Sequence, residues 1–312
     1  MPLAILLLGV SAAAGGASDT RPPIIDVHLH AYGAREWSHS GPNPVTGRPA
    51  PATAEAHMRA TLAAMERYNI VLGIVSGPLD AVGRWKAAAG PGKILGSPEF
   101  GQPDMDFWGY PLPAMDALRT LFTGGQLGAM AEVTAQYAGL SPSDPALDPY
   151  FRLAEELDIP VGIHTGTSFP GTPYECCPKF RVALGNPLLL EDLLVRHPKL
   201  RIYIMHGGEP WRRETIALLQ MYPQVYMDVA VINWIGGPKS IPEFHAFLKE
   251  MLAQGFGKRL MFGTDQMRWP EAIGAAIDAV ESASFLSREQ KRDVMYNNAA
   301  RFLRLGGGSP GP

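Results

Sequence analysis

The chain has 312 residues, of which 46% are hydrophobic and 18% charged, and its formal net charge at pH 7 is −3. This length suits one large domain and is sufficient for a (β/α)8 barrel, which takes about 250 residues. The small net charge and the scattered basic residues argue against a nucleic acid or an anionic membrane as the partner. We therefore expect a small molecule to be the ligand.

The N-terminal segment has the pattern of a secretory signal. Leu3 to Val10 form a short apolar run, and small residues follow through Ala17, as in the hydrophobic region and cleavage zone of a signal peptide. The run is too short to span a bilayer. Residues 1–22 are predicted to be a signal peptide, which implies a periplasmic or secreted protein; a disordered leader on a cytoplasmic protein is the alternative. Residues 305–312 are predicted to be a disordered tail.

Strands and helices alternate along the rest of the chain. The strands are continuous apolar runs, as expected of buried parallel strands, and eight alternating units favour a closed barrel over an open sheet. No glycine-rich dinucleotide or phosphate motif follows any strand, which weakens a nucleotide-binding alternative. We predict one TIM-barrel domain over residues 23–304. The predicted strands are 24–30, 69–76, 93–97, 126–133, 161–164, 200–206, 224–229 and 259–264.

Long loops follow the first, third and fifth predicted strands and are expected to lie over the C-terminal face of the barrel. The loop after the fifth strand contains the adjacent pair Cys176 and Cys177. Neighbouring cysteines cannot join distant segments, so two free loop thiols are the favoured interpretation. A vicinal disulfide or a soft-metal contact is the alternative.

Imidazole and carboxylate side chains stand at the C-terminal ends of several predicted strands. His28 and His30 are two residues apart on the first strand, so both project from the same face. A barrel brings the ends of its strands to one face, and this mixture of groups binds zinc and also iron, nickel or manganese. Each residue alone has an ordinary structural explanation, but the joint pattern predicts a metal centre. The other strand-end residues are Glu132, His164, His206 and Asp265.

The sequence around these residues resembles the amidohydrolase superfamily, and most closely its amidohydrolase-related branch, which includes aminocarboxymuconate-semialdehyde decarboxylase. The resemblance covers about residues 24–304 and includes the closing segment, residues 296–302. It implies the TIM barrel and a divalent metal, and it says little about the substrate. The motifs that carry it are Asp26-Val27-His28-Leu29-His30, Ile163-His164-Thr165-Gly166, Met205-His206-Gly207-Gly208 and Phe262-Gly263-Thr264-Asp265.

The resemblance also implies roles for individual residues. His206 becomes the catalytic histidine, and Asp265 also accepts the proton of a metal-activated water. Glu132 stands where many superfamily members have a carboxylated lysine that bridges two metals, so a second metal with His206 as its ligand is the alternative to one metal. One zinc ion is favoured, with manganese, iron or nickel as alternatives, and a homodimer is expected by analogy. The implied metal ligands are His28, His30, His164 and Asp265.

Three functions follow from this pattern. The first is a metal-dependent hydrolase that uses an activated water on an ester, lactone or amide. The second is a non-oxidative decarboxylase of an unsaturated or aromatic carboxylic acid, and the third is a non-catalytic metal- or ligand-binding barrel. An arginine in a loop suits a carboxylate because its fork binds both oxygens. The candidate substrate contacts are Trp211, Arg268, Arg181 and Tyr174.

Overall fold

A computed structural model describes residues 21–39 and 41–305. The predicted signal peptide, apart from its last two residues, and nearly all of the predicted tail lie outside this range, so both stay predictions. The strands are β1 Ile24–His30, β2 Ile70–Gly77, β3 Ile94–Pro98, β4 Phe100–Gln102, β5 Met105–Asp106, β6 Met130–Val133, β7 Val161–Ile163, β8 Ile202–Ile204, β9 Val225–Asp228 and β10 Leu260–Met261. The helices are α1 Ala54–Arg67, α2 Leu79–Ala89, α3 Met115–Thr123, α4 Asp148–Glu156, α5 Thr172–Glu175, α6 Glu191–Arg196, α7 Arg212–Met221, α8 Ile241–Ala253, α9 Ala272–Glu281, α10 Arg288–Arg292 and α11 Asn298–Phe302.

Side-chain caps fix where several helices begin. The Thr53 hydroxyl accepts a hydrogen bond from the backbone of Ala56 at the start of α1, and such a cap is worth about 1 kcal/mol. Ser287 and Gln290 exchange hydrogen bonds in a capping box that opens α10. The capping box is a local pattern of residue types, so the start of this helix is encoded by residues close together in the sequence. Among the described residues, no helix is both long and apolar enough to cross a membrane.

The strands form two sheets whose main strands are parallel. One sheet has the order β1-β2-β3, and the other has the order β10-β9-β8-β7-β6-β4-β5. The predicted α/β class with parallel strands is therefore confirmed, and the eight predicted strands occur in the predicted order. The antiparallel pair β4–β5 is an addition, because it forms within a segment that the sequence analysis treats as an irregular loop.

The predicted closed barrel is not present as one continuous ladder among the described strands. A few separate backbone hydrogen bonds connect the sheets; for example, Val27 N–H donates to Phe262 O at 3.1 Å, and Gly128 N–H donates to Gly96 O at 2.9 Å. β10 has only two residues, and the chain leaves it before a regular ladder with β1 can form. The two sheets therefore meet at both edges through isolated bonds.

A bulge in β1 aims its last residues into the space between the sheets. Asp26 is opposite Gly73 and Leu29 is opposite Val75, so two residues of β1 face one residue of β2. Such an insertion re-aims the side chains that follow it. Val27 thus packs with Ile25 and Tyr203 in an apolar cluster inside the sheets, the inner apolar cluster. His28 and His30 also turn inward further along the strand.

The inner apolar cluster fills the space beside the N-terminal ends of the strands. Ile25 and Val27 of β1 pack there with Tyr203 of β8. The C-terminal helix α11 contributes Phe302, whose ring centroid lies 5.5 Å from that of Tyr203. The cluster therefore leaves the opposite, C-terminal end of the strands for the imidazole and carboxylate side chains at the strand ends.

Candidate metal centre

The structure brings together all six strand-end residues that the sequence singles out. His28 and His30 end β1, Glu132 lies in β6, and His164 directly follows β7. His206 follows β8, and Asp265 lies four residues beyond β10. Each of the six residues is buried, with at most 7% of its surface exposed.

Glu132 is the centre of this group. Its Oε1 atom lies 2.5 Å from His164 Nδ1 and 3.5 Å from His206 Nε2. Its Oε2 atom lies 3.6 Å from the Nε2 atoms of both His28 and His30. One carboxylate therefore contacts four imidazoles that arrive from three different strand ends.

Asp265 closes the group on the side of β1. Its Oδ1 atom lies 3.1 Å from His30 Nε2 and 3.9 Å from His28 Nε2. The backbone of Asp265 is in the left-handed region, with φ of 49°, and its N–H donates to His28 O at 2.8 Å. Asp and Asn tolerate this conformation better than most residues, so the turn places the carboxylate beside both histidines.

Several buried polar atoms in this group have no hydrogen-bond partner. An unsatisfied buried donor or acceptor costs about 1–3 kcal/mol, so a concentration of such atoms calls for an explanation. Overlapping sets of three ligand atoms lie within 4.8 Å of one another. Imidazole nitrogens with carboxylate oxygens are the donors that zinc and similar divalent ions take, so these residues fit a divalent metal. The unpartnered atoms are His28 Nε2, His164 Nε2, His206 Nδ1 and Nε2, and Asp265 Oδ1.

Asp228, which ends β9, orients two of the histidines and is absent from the sequence-based set. It is fully buried, and its Oδ2 atom lies 3.0 Å from His28 Nδ1. Its Oδ1 atom accepts the backbone N–H of His206 at 2.8 Å. A proton on His28 Nδ1 leaves the lone pair of Nε2 directed at the centre, as in carboxylate–histidine–metal arrangements. The available signal was an aspartate at the end of the seventh predicted strand.

Gln266 holds the end of β1 in a way that the sequence analysis did not predict. Its side-chain amide donates to the backbone oxygen of His30 at 3.0 Å and accepts the backbone N–H of the same residue at 3.1 Å. The amide thus replaces a neighbouring strand at this position. Ser76 Oγ lies 3.3 Å from His30 Nδ1 and fixes the other side of the ring.

Burial and opposite charges act against each other in this group. Burial alone would lower the pKa of His28, but the carboxylates of Asp265 and Asp228 raise it well above its usual value. Burial would raise the pKa of Glu132, whereas His164 and His28 lower it well below the usual value. The pKa values of Glu132 and Asp265 are both lowered, so these two carboxylates are ionised at neutral pH and the group attracts positive charge.

His206 differs from the other histidines. Burial, followed by the nearby His164, lowers its pKa to about 4, so its ring is neutral at pH 7. Its φ is 61°, and the glycines Gly207 and Gly208 that follow it also have positive φ. This tight turn directs the His206 backbone N–H at Asp228 and leaves both ring nitrogens without a partner.

A cavity of about 660 Å³ opens above this group of imidazoles and carboxylates. Residues from the segments after β1, β3 and β7 contribute to its wall, as does the turn after β10. Arg268 is the predicted substrate contact that lines this cavity, and its guanidinium lies 5.1 Å from the Tyr32 ring centroid. The aromatic residues of the wall are Tyr32, Phe107, Trp108, Tyr137, Phe169 and Trp269.

The other three predicted substrate contacts do not line the cavity. Tyr174 is 92% exposed and does not line it. Arg181 donates to the backbone oxygens of Pro178 and Phe180, and so it serves its own loop. Trp211 directly precedes α7 and is not part of the cavity wall. Position after a strand end therefore did not decide which residues reach the cavity.

Glu99 lines the cavity and was not singled out by the sequence analysis. It directly follows β3, is 4% exposed, and accepts a hydrogen bond from Trp108 Nε1 at 3.0 Å. Its Oε2 atom lies 3.9 Å from His30 Nδ1. Burial raises the pKa of Glu99 to about 7. A carboxylate at the end of the third predicted strand was the signal available in the sequence.

Cys176 and Cys177 form a vicinal disulfide in the structure. The favoured prediction of two free thiols is therefore wrong, and the alternative holds. The backbone N–H groups of both cysteines point to the oxygen of Thr172, at 3.3 and 3.0 Å. This local fold brings the two sulfur atoms together, which the spacing of the residues alone does not reveal.

Comparison with known proteins supplies the family. The family model described as Amidohydrolase matches residues 25–305. The chain belongs to the amidohydrolase family. This amidohydrolase is 24% identical to protein fluG of Emericella nidulans over an alignment 136 residues long, which covers 39% of this chain and 15% of fluG. The chain thus matches a small part of that relative's length. The family model confirms the resemblance predicted from the motifs.

Solved structures share the fold of this amidohydrolase at low sequence identity. A probable 2-pyrone-4,6-dicarboxylic acid hydrolase from Acinetobacter baumannii, with citric acid bound, is 18% identical; the match covers 91% of this chain and all of that one, with a TM-score of 0.64. A 5-carboxyvanillate decarboxylase from Novosphingobium aromaticivorans, complexed with manganese and 4-hydroxy-3-methoxy-5-nitrobenzoic acid, is 16% identical. The match covers 78% of this chain and 79% of that one, with a TM-score of 0.53. Hydrolases and decarboxylases therefore share this fold.

Proposed function

We propose that this amidohydrolase is a metal-dependent hydrolase that acts on an ester, lactone or amide bond of a small molecule. The observation that carries the proposal is the set of unpartnered, buried imidazole and carboxylate atoms at the floor of a 660 Å³ cavity. We also propose that the two sheets are the two parts of one (β/α)8 barrel. The hydrogen bonds at their two edges support this proposal.

One divalent ion, with zinc favoured over manganese, iron or nickel, is proposed for the site. His28, His30, His164 and Asp265 would hold it. Atoms of His28, His164 and Asp265 are buried there without a partner, His30 Nε2 lies 3.1 Å from Asp265 Oδ1, and Asp228 orients His28. When bound, such an ion lowers the pKa of a water molecule from about 15.7 towards 7 and polarises a carbonyl group. Glu132 keeps its place against His164 and remains available to a second ion.

Asp265 and His206 are the proposed proton-handling residues. A carboxylate has two oxygens, so Asp265 can hold the ion through Oδ1, which has no hydrogen-bond partner, and accept a proton from an attacking water through Oδ2. His206 is neutral at pH 7, and one of its ring nitrogens can donate a hydrogen bond to the oxygen that becomes negative during the attack. Preorganised donors of this kind are worth about 10²–10³ in rate. The turn at Gly207 and Gly208 keeps the ring at the cavity floor.

Decarboxylation of an unsaturated or aromatic carboxylic acid is the second candidate. The observation that favours it is the aromatic cavity wall, which suits a planar ring, together with Arg268, whose fork suits a carboxylate. In this reaction His206 or Asp265 would deliver a proton to carbon. A non-catalytic binding barrel is less favoured because the cavity opens directly onto His206.

A substrate panel in isotopically labelled water tests the two reactions together. Metal-loaded enzyme is incubated with esters, lactones, amides and aromatic acids in H₂¹⁸O, and in parallel in D₂O. Hydrolysis predicts ¹⁸O in the product acid, whereas decarboxylation predicts released carbon dioxide and deuterium on carbon. Both activities should disappear in His206→Ala and persist in His245→Ala, a histidine that contacts the Ala279 oxygen far from the site. Turnover that is unchanged in His206→Ala would contradict the proposal.

A further inference from the structure

The segment between β7 and α6 forms one side of the cavity. It is held at its base by Gln136 and Tyr137, which follow β6. The Gln136 amide donates to the backbone oxygens of Gly166 and Arg181, both at 3.0 Å, and so joins the two ends of this segment. Tyr137 OH donates to Ser168 Oγ at 2.9 Å. The base of the loop is therefore anchored independently of its tip.

The tip of the loop is held by the vicinal disulfide. Cys176 and Cys177 follow α5, and both of their N–H groups bond to the oxygen of Thr172. The Cys177 oxygen accepts the N–H of Phe180 at 2.8 Å, and the buried Phe180 ring lies 5.0 Å from the ring of Tyr137. The disulfide thus lies between α5 and Phe180, the buried side chain that anchors the loop.

This disulfide does not stabilise the whole fold in the usual way. A cross-link gains stability in proportion to the logarithm of the loop that it closes, and neighbouring residues close almost no loop. Its effect is therefore confined to the backbone at the tip. Cys176 is solvent-exposed and lines the cavity together with Glu175 and Phe169, so the constraint acts where a substrate enters.

We propose that the Cys176–Cys177 disulfide is a specificity-determining part of the cavity wall. It keeps the loop tip ordered for substrate binding, and its reduction weakens that binding. The inference rests on the proposed function only in taking the cavity as the substrate site. The base of the loop does not depend on the disulfide, because Gln136 and Tyr137 hold it separately. The candidate metal ligands lie at strand ends, outside the loop tip.

Reduction with a phosphine provides a clean test. The phosphine and one water molecule convert the S–S bond into two thiols; phosphorus loses two electrons and gains the water oxygen, and each sulfur gains one proton. Metal-loaded full-length protein is compared before and after this treatment by hydrogen exchange. Exchange should accelerate at the amides of residues 176, 177 and 180. It should not change in β6 and β7, which carry or adjoin the metal-binding residues.

The kinetic readout separates a binding role from a merely structural one. For any substrate that the panel identifies, reduction should raise KM roughly tenfold, the factor that corresponds to ordering about one more residue on binding. The kcat value should stay within about twofold, and the metal content should not change. The double variant Cys176→Ser/Cys177→Ser should behave like reduced wild type and should not respond to the phosphine.

Each result decides the inference. Unchanged exchange at residues 172–181 after complete reduction would overturn it, and so would faster exchange with an unchanged KM. If no compound of the panel is turned over, the proposed function fails, and the exchange measurement alone decides whether the disulfide orders the cavity wall.

Discussion

The two ends of the strands enclose buried regions of opposite character. At the N-terminal end, Ile25 and Val27 pack against Tyr203 and Phe302, and the Tyr203 hydroxyl donates to the Val27 oxygen at 2.9 Å. At the C-terminal end, equally buried nitrogens and oxygens lack partners. The change occurs between Val27 and His28, adjacent residues of one strand. The first region stabilises the fold, whereas the second costs stability until a ligand satisfies it.

The largest expected effect is on the apolar region. Phe302→Ala should lower the free energy of unfolding by about 3–5 kcal/mol, because a buried aromatic ring is replaced by a cavity. Metal stoichiometry should be unchanged, since the ring lies at the far end of the strands. Urea unfolding and elemental analysis measure the two quantities. Leu305→Ala, at a residue that is 44% exposed, is the control and should cost under about 0.5 kcal/mol.

The unpartnered region should gain stability from a metal. Zinc at a thousand times its Kd should raise the free energy of unfolding of the apo protein by about 4 kcal/mol. Thermal unfolding with and without zinc measures this gain. His28→Ala should abolish it, and an equal gain in that variant would show that the metal binds elsewhere.

Asp228 should affect the metal-binding region without being a ligand. Asp228→Asn keeps the shape of the side chain but weakens its hold on His28 Nδ1, so metal affinity should fall about 10–100-fold. Competition with a chelator of known affinity measures this change. Unaltered affinity in a folded variant would contradict the orienting role.

A third cluster shows what histidines and carboxylates do when they satisfy one another. Both ring nitrogens of His197 are paired, with Asp148 at 2.9 Å and Glu155 at 3.1 Å. Asp148→Asn should therefore leave metal content unchanged and lower stability at pH 7 by at most about 2 kcal/mol, because solvent screens this partly exposed pair. Metal loss in this variant would remove the distinction between the two clusters.

The pH dependence of that effect has a definite sign. The hydrogen bond from His197 is the main cause that lowers the pKa of Asp148 to about 2. The ionised form is therefore favoured by folding, and its contribution is present above the unfolded pKa of about 3.9. The stability difference between wild type and Asp148→Asn should shrink as the pH falls from about 4 towards 2. Unfolding titrations at several pH values measure it.

The sequence could place the candidate metal ligands together because strand-end position determines where they project. His28, Glu132 and Asp265 could be assigned to one face from parallel strands alone. The bulge between Asp26 and Leu29 could not, because it depends on the pairing with β2. Asp228 and Glu99 carry the same strand-end signal, but their roles depend on which ring lies beside them in space. The redox state of the adjacent cysteines is not revealed by their spacing, which is the same for two free thiols and for a disulfide.

Metal content is the most direct test of the account. Protein purified without added metal is analysed for its elements as wild type, His28→Ala, His206→Ala and the control His245→Ala. We predict one equivalent of a divalent metal in wild type, His206→Ala and the control, and its loss in His28→Ala. Nearly two equivalents, lowered by either site variant, would contradict the single-metal assignment and make Glu132 and His206 ligands. No metal in wild type, even after zinc or manganese is added, would contradict the central claim.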